Sequence, residues 1–209
     1  MSATLILIIV TVLISIAAWR NEALMDRWIM NPYAVAKRGE YYRLVTSGFL
    51  HADYAHLLFN MFSFYWFGQA LEGFFTALFG NLGGVVFVAF YIAGIIISDI
   101  PTLLKYRDQS RYNSLGASGG VSSVIFAMIL LNPFMPLQLM LIPIPIPGFI
   151  FGLLYLGYSY YASQRGMGGI NHDAHLYGAL FGILFMAIAY PPALPAFAEQ
   201  LSAWRPFSR

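Results

Sequence analysis

Cysteine is absent from this chain of 209 residues, and charge is scarce, with Asp, Glu, Lys and Arg making up only 10% of it. Without cysteine there is no disulfide framework, no thiolate nucleophile and no cysteine-ligated metal. A typical soluble domain carries roughly 25% charged residues, so that class is excluded. The formal net charge of +2 is small and scattered. No basic stripe interleaved with aromatics is present, which excludes a nucleic-acid surface. The apolar N-terminus lacks a basic leader and a small-residue cleavage site, and so reads as a retained helix and not as a signal peptide.

Apolar residues fill the chain instead: 59% are hydrophobic, 17% are aromatic, and the mean hydropathy is +0.68. The reading is an all-α, polytopic membrane protein, one domain over residues 1–209. Glycine, proline and charge divide it into six crossings at about 3–19, 56–71, 82–100, 115–131, 147–163 and 172–190. Trp19 and Arg20 close the first at the interface. Residues 20–55, with Trp28, Tyr33, Tyr41, Tyr42 and Phe49 among charges, form a structured interfacial loop in which His51 is a loop or interfacial histidine and not a ligand. Glu72 ends the second crossing as an end-of-helix hydrogen-bond partner, with a turn at Gly73, Gly80 and Asn81. The third crossing exits at Asp99-Ile100-Pro101, and the fourth stops at Asn132-Pro133. Ile142 to Gly148 is an extended apolar connector. Gly166 to Gly169 is a stretch of high backbone freedom, and Ala193 to Arg209 is an amphipathic or loose tail.

Two polar residues on apolar runs carry the chemistry. Gly116-Ala117-Ser118-Gly119-Gly120 sets a serine between glycines, and sixty residues on His175 opens another apolar run. A serine hydroxyl is a poor nucleophile until a base takes its proton, so Ser118 and His175 form the candidate catalytic pair. His175, Gly178 and Gly182 share one helix face. Such a face admits close approach by a partner helix, here the fourth, at Gly116 and Gly119. Asp173, two residues from His175, points around the helix, which favours a dyad over a triad. His56 and Asn60, at i and i+4, stand on one face and supply donors for an oxyanion together with the Ser118 N–H. No metal or organic cofactor is called for.

Competing readings weigh less. Polar residues inside membrane helices are sometimes only helix–helix glue. A transporter, or a metal or haem protein ligated by His51, His56, His172 or His175, would need an inward carboxylate that the spacing of His172 and His175 does not supply.

Gly116-Ala117-Ser118-Gly119, Ala174-His175-x-x-Gly178-x-x-x-Gly182, His56-x-x-x-Asn60, Leu71-Glu72 and Arg43 in a long first loop together resemble the rhomboid intramembrane serine proteases. The resemblance runs from the first helix to the sixth in the family's order. It implies a six-helix bundle with a site sunk in a water-filled cavity, cutting single-pass transmembrane substrates within the lipid bilayer of a bacterial inner (cell) membrane. It further implies Ser118 as nucleophile, His175 as base and acid, and His56 with Asn60 in the oxyanion hole. The fifth helix and the Gly166 to Gly169 loop become gate and cap. A catalytically silent relative that binds transmembrane helices is the alternative. Two positions depart from the family pattern. Ser122 stands one turn after the serine, where many members carry an aromatic that packs on the catalytic imidazole, and Tyr42 precedes Arg43 where a tryptophan is common. The resemblance implies a cytoplasmic N-terminus. Yet nine of the eleven Lys and Arg residues lie in the loops then placed outside, and the positive-inside rule predicts the reverse.

Overall fold

The computed structural model describes residues 1–139, 142–166 and 169–205. Helix α1 (Ala3–Trp19) is capped by Ser2, whose hydroxyl accepts from the Leu5 N–H. The loop that follows is itself helical: α2 (Glu22–Trp28), α3 (Pro32–Arg38) and α4 (Arg43–Thr46). Asn21 and Asn31 cap α2 and α3, Pro32 sits in the first turn of α3, and Gly39 ends α3 in the left-handed region. Arg43 ties this segment together. Its Nη1 donates to the carbonyls of Asp26 (2.7 Å) and Ile29 (2.8 Å), and its Nε donates to Glu40 Oε2 at 2.6 Å.

The long helices are α5 (Tyr54–Phe79), α6 (Gly83–Tyr106), α7 (Ser118–Leu131), α8 (Gly148–Arg165) and α9 (His172–Ala189), with a short α10 (Ala193–Ser202) behind them. By length and composition, the apolar run containing α5 and α6 and the helix α9 are suited to crossing a membrane; α1 and α7 are shorter apolar helices. Helix α7 packs against α5, α6 and α9 at once. Most of its residues are buried accordingly. Aromatic rings fill the space between α5 and α6, where Phe64 lies 4.3 Å from Tyr91 and Phe75 lies 5.7 Å from Phe90, centroid to centroid.

Two helix boundaries differ from those expected, and the connector gains a partner. Helix α5 does not end at Glu72 but runs through Gly73 to Phe79. A single glycine costs a helix only about 1 kcal/mol, and the long packed helix absorbs it. Glu72 is an end-of-helix partner all the same, for a different helix: its carboxylate accepts from the N–H groups of Ala3 (2.7 Å) and Thr4 (2.9 Å) and from Thr4 Oγ1 (2.6 Å). Helix α6 continues through Pro101 to Tyr106, held beyond the proline by Thr102 Oγ1 donating to Asn171 Oδ1 at 2.9 Å and by Lys105 paired with Asp173 at 3.1 Å. The connector is extended, but it is strand β2 (Ile142–Pro147), paired antiparallel with β1 (Pro136–Leu139) in a hairpin of irregular register. Prolines at alternate positions leave no N–H on the open edge, which blocks further pairing.

Candidate active site

Helices α5, α7 and α9 enter the bundle from one face, and each carries a candidate residue close to its start: His56, Ser118 and His175. Ser118 opens α7, so the N–H groups of its first turn have no carbonyl four residues back and face the mouth. Before it, Gly116 adopts φ 126°, a region that disfavours other residues. A Cβ at Gly116 would lie 2.8 Å from His56 Cε1, 2.9 Å from His56 Nε2 and 3.9 Å from Ser118 Oγ. The His56 imidazole and the Ser118 hydroxyl therefore flank one empty side-chain position. Glycine is required there on two counts.

The expected close approach of α7 and α9 is present. A Cβ at Gly178 would collide with the Gly119 carbonyl, one at Gly182 with the Ser123 carbonyl, and one at Gly119 with the Ser98 side chain. The Gly178 and Gly182 contacts are backbone-to-backbone, and they seat the turn bearing His175 beside the turn bearing Ser118, while the Gly119 contact packs α7 on α6. Among the described residues, Ser118 Oγ makes no hydrogen bond, to His175 or to any other group. Both side chains are half-buried.

The hydrogen bonds fix the tautomers on the α5 side. The Ala52 N–H donates to His56 Nδ1 at 3.4 Å, which leaves the proton on Nε2, the nitrogen beside Gly116. Asn60 is buried, and its Nδ2 donates to the His56 carbonyl at 2.9 Å, keeping one further N–H uncommitted among the described residues. His51 lies in the loop before α5, as expected, and is fully buried. Ser15 Oγ donates to the Phe49 carbonyl and so accepts from His51 Nδ1 at 3.0 Å, and the ring meets His56 edge-on at 4.9 Å. Burial, helped by the nearby His56 and opposed by Asp53, pushes the His51 pKa down to about 3, and the ring is neutral.

Asp173 does not face His175. It accepts from Ser163 Oγ and pairs with Lys105 at 3.1 Å, joining α9 to α8 and α6. Asn171 caps α9 by accepting from the Ala174 N–H at 3.1 Å, and it donates to the buried Asp99 at 3.2 Å. The capping role follows from an asparagine just before an apolar run; the Asp99 contact has no sequence signal. His172 lies 6.0 Å from His175, ring to ring, and Tyr158 lies edge-on to it at 5.5 Å. Among the described residues, no group of three or more His, Asp or Glu side chains is placed to hold a metal ion. A cavity of about 170 Å³ at the mouth is lined by Lys105, Tyr112, Ser163, His172 and Asp173, and by neither Ser118 nor His175. One contact lay outside any sequence expectation: Tyr155 of α8 stacks on the His175 ring, with centroids 6.0 Å apart and planes 17° from parallel.

The family model for the Rhomboid domain matches residues 38–192, most of the chain and every element just described from α4 to α9. The chain belongs to the rhomboid family. Among similar proteins, RHOMBOID-like protein 12, mitochondrial, of Arabidopsis thaliana is 31% identical over 166 residues, covering 74% of this chain and 49% of that protein. Presenilin-associated rhomboid-like protein A, mitochondrial, of Danio rerio is 25% identical over 188 residues, covering 84% and 45%. Rhomboid protein 1, mitochondrial, of Saccharomyces cerevisiae is 27% identical over 146 residues, covering 68% and 40%. The matched part is thus less than half of each of these relatives. Family membership and the apolar helices make this rhomboid a membrane protein. The mitochondrial names of its relatives give no support to the bacterial inner membrane expected from the sequence.

Proposed function

We propose that this rhomboid is an intramembrane serine endopeptidase that hydrolyses peptide bonds in or near transmembrane segments of single-pass membrane proteins. The observation that carries the reading is the convergence of Ser118, His56 and the α9 turn bearing His175 on one face, with α7 and α9 in backbone contact at Gly119 and Gly178. In this reading α1, α5, α6, α7, α8 and α9 are the six crossings. Helix α7, with 14 residues, is about 21 Å long against ~30 Å of hydrocarbon, a length that supports Ser118 lying below the membrane surface.

A substrate helix hides its carbonyls in its own hydrogen bonds and must partly unwind before a nucleophile reaches one. Ser118 Oγ then attacks the carbonyl carbon while His175 takes the hydroxyl proton, the pair closing to hydrogen-bond reach on binding, as catalytic pairs left long in the resting enzyme do. The oxyanion accepts from His56 Nε2–H, the free Asn60 N–H and the Ser118 N–H. Collapse breaks the C–N bond, His175 returns its proton to the leaving amine, and water hydrolyses the acyl ester by the same relay. Helix α8 serves as the gate. Its buried residues, Gly148, Gly152, Ser159, Ala162 and Ser163, are all small, while Leu153, Leu154, Tyr158, Tyr160 and Tyr161 face outward, which supports its being loosely held. The cap assigned to Gly166 to Gly169 includes Met167 and Gly168, which lie outside the described residues.

The test is reconstitution in liposomes with a labelled panel of transmembrane substrates and a serine-reactive phosphonate. Wild type is expected to cut and to label. Ser118→Ala should lose both activities, and His175→Ala should slow both by roughly 10²–10⁴-fold, with folding intact. A wild type that binds substrate helices yet neither cuts nor labels would establish the silent-relative reading instead.

A further inference from the structure

The His175 ring has a neighbour that its own sequence surroundings do not supply. Ser122, one turn after Ser118 on α7, is too small to reach the imidazole. Its Oγ instead lies 2.7 Å from the phenol oxygen of Tyr155, and Tyr155 is the ring stacked on His175. Tyr155 is seated further by Phe126 of α7, at 5.4 Å, and by Phe151 of its own helix, at 5.7 Å. Offset stacks at centroid separations of 4.5–7 Å are attractive beyond simple burial. The hydroxyl bond to Ser122 sets where along α7 the phenol ends, and with it the height and tilt of the ring.

We propose that Tyr155 is the positioning residue of the catalytic base, tethered by Ser122, and that α8 thereby couples the gate to the base. The proposal rests on the protease reading. While α8 is docked, Tyr155 holds the imidazole in one plane. When α8 swings outward to admit a substrate helix, the stack opens, and the base regains its orientation only when α8 returns against the bound segment. Gate closure is then a requirement for chemistry and more than a barrier to diffusion.

A mere packing role for Tyr155 predicts the opposite sign. If the residue only held the gate shut, Tyr155→Leu would ease substrate access, lower KM for a transmembrane substrate and leave phosphonate labelling unchanged. If it positions His175, Tyr155→Leu lowers both the labelling rate and kcat, on the order of 10²-fold for a misplaced base, with KM little changed. Tyr155→Phe keeps the stack and loses only the tether, so its labelling should fall to between wild type and Tyr155→Leu, and Ser122→Ala, which removes the same bond, should fall to a similar extent. The double variant Tyr155→Leu with Ser122→Tyr returns an aromatic to the vacated space from α7 and should recover most of the lost rate. Thermal unfolding in detergent checks that each variant is folded. Unchanged labelling in Tyr155→Leu, or no recovery in the folded double variant, overturns this assignment while leaving the protease reading intact. A wild type that neither labels nor cuts overturns both.

Discussion

Glu72 and His51 show how single side chains hold the scaffold beneath the site. Glu72 gathers three donors from the first turn of α1, including two helix-terminal N–H groups that have no other partner among the described residues. Hydrogen bonds to a charged group contribute about 1.5–3 kcal/mol each. Glu72→Gln should therefore lower the unfolding temperature clearly while leaving phosphonate labelling of the folded fraction unchanged, since Glu72 lies at the end of α1 remote from the mouth. His51 works at the mouth, accepting Trp19 Nε1–H on its carbonyl at 2.7 Å and bonding Ser15 through Nδ1. Its ring stays neutral in the fold down to about pH 3, whereas in the unfolded chain it takes a proton near 6.5. Between those values the unfolded state binds more protons, so stability rises with pH and is lost on acidification. Unfolding temperature measured from pH 7 down to 4 should fall for wild type and fall less steeply for His51→Asn. Equal slopes would remove His51 as a source of acid sensitivity.

At the scale of elements, the close seam between α7 and α9 is the part of the site most legible in the sequence. Gly178 and Gly182 share a face with His175 by helix period alone, and a glycine face within a membrane announces a close partner. What the period does not give is the partner's side of the contact: Gly178 meets the Gly119 carbonyl and Gly182 the Ser123 carbonyl, both backbone. A methyl cannot be accommodated there by a rotamer change. Gly178→Ala should cost roughly 1–3 kcal/mol of stability, the range for overpacking, and reduce cleavage by spreading the seam. Gly84→Ala on α6, where an added Cβ meets nothing within 4 Å, should be neutral or slightly stabilising. Thermal unfolding and cleavage assays of the pair check the contrast. The less legible parts depend on contacts between distant segments. The β1–β2 pairing needs a partner strand that an Ile-Pro repeat does not specify. The Tyr155 stack depends on where α8 docks, and nothing in a tyrosine's local sequence encodes a histidine twenty residues away. His51 is invisible for the same reason, because Ser15, which bonds it, lies on another helix.

The whole molecule is an alternation of helices, and that alternation fixes a relation between its ends. Trp19 at the close of α1 meets His51 and Tyr54 at the start of α5, with the Trp19 and Tyr54 rings 4.4 Å apart, while the start of α1 is held by Glu72 near the end of α5. The two helices therefore run antiparallel, side by side. In the proposed reading α6, α7, α8 and α9 continue the pattern as crossings, which makes the number even, so reporters placed before Met1 and after Arg209 should score on the same side of the membrane. Opposite sides would remove one helix, most directly the short α7 or α1, from the set that spans. The same pair of reporters decides orientation. Several basic residues at the mouth are committed to acidic partners, Lys37 to Asp108 at 2.7 Å, Arg43 to Glu40 at 2.6 Å and Lys105 to Asp173 at 3.1 Å. Acidic neighbours weigh little in the positive-inside rule, which counts Lys and Arg in the loops flanking each span. By that count the mouth faces the cytoplasmic side and both reporters score on the opposite side. Reporters that both score in the cytoplasm would mean that the packed helical loop between α1 and α5 crosses as a folded unit, and that its charges do not govern insertion.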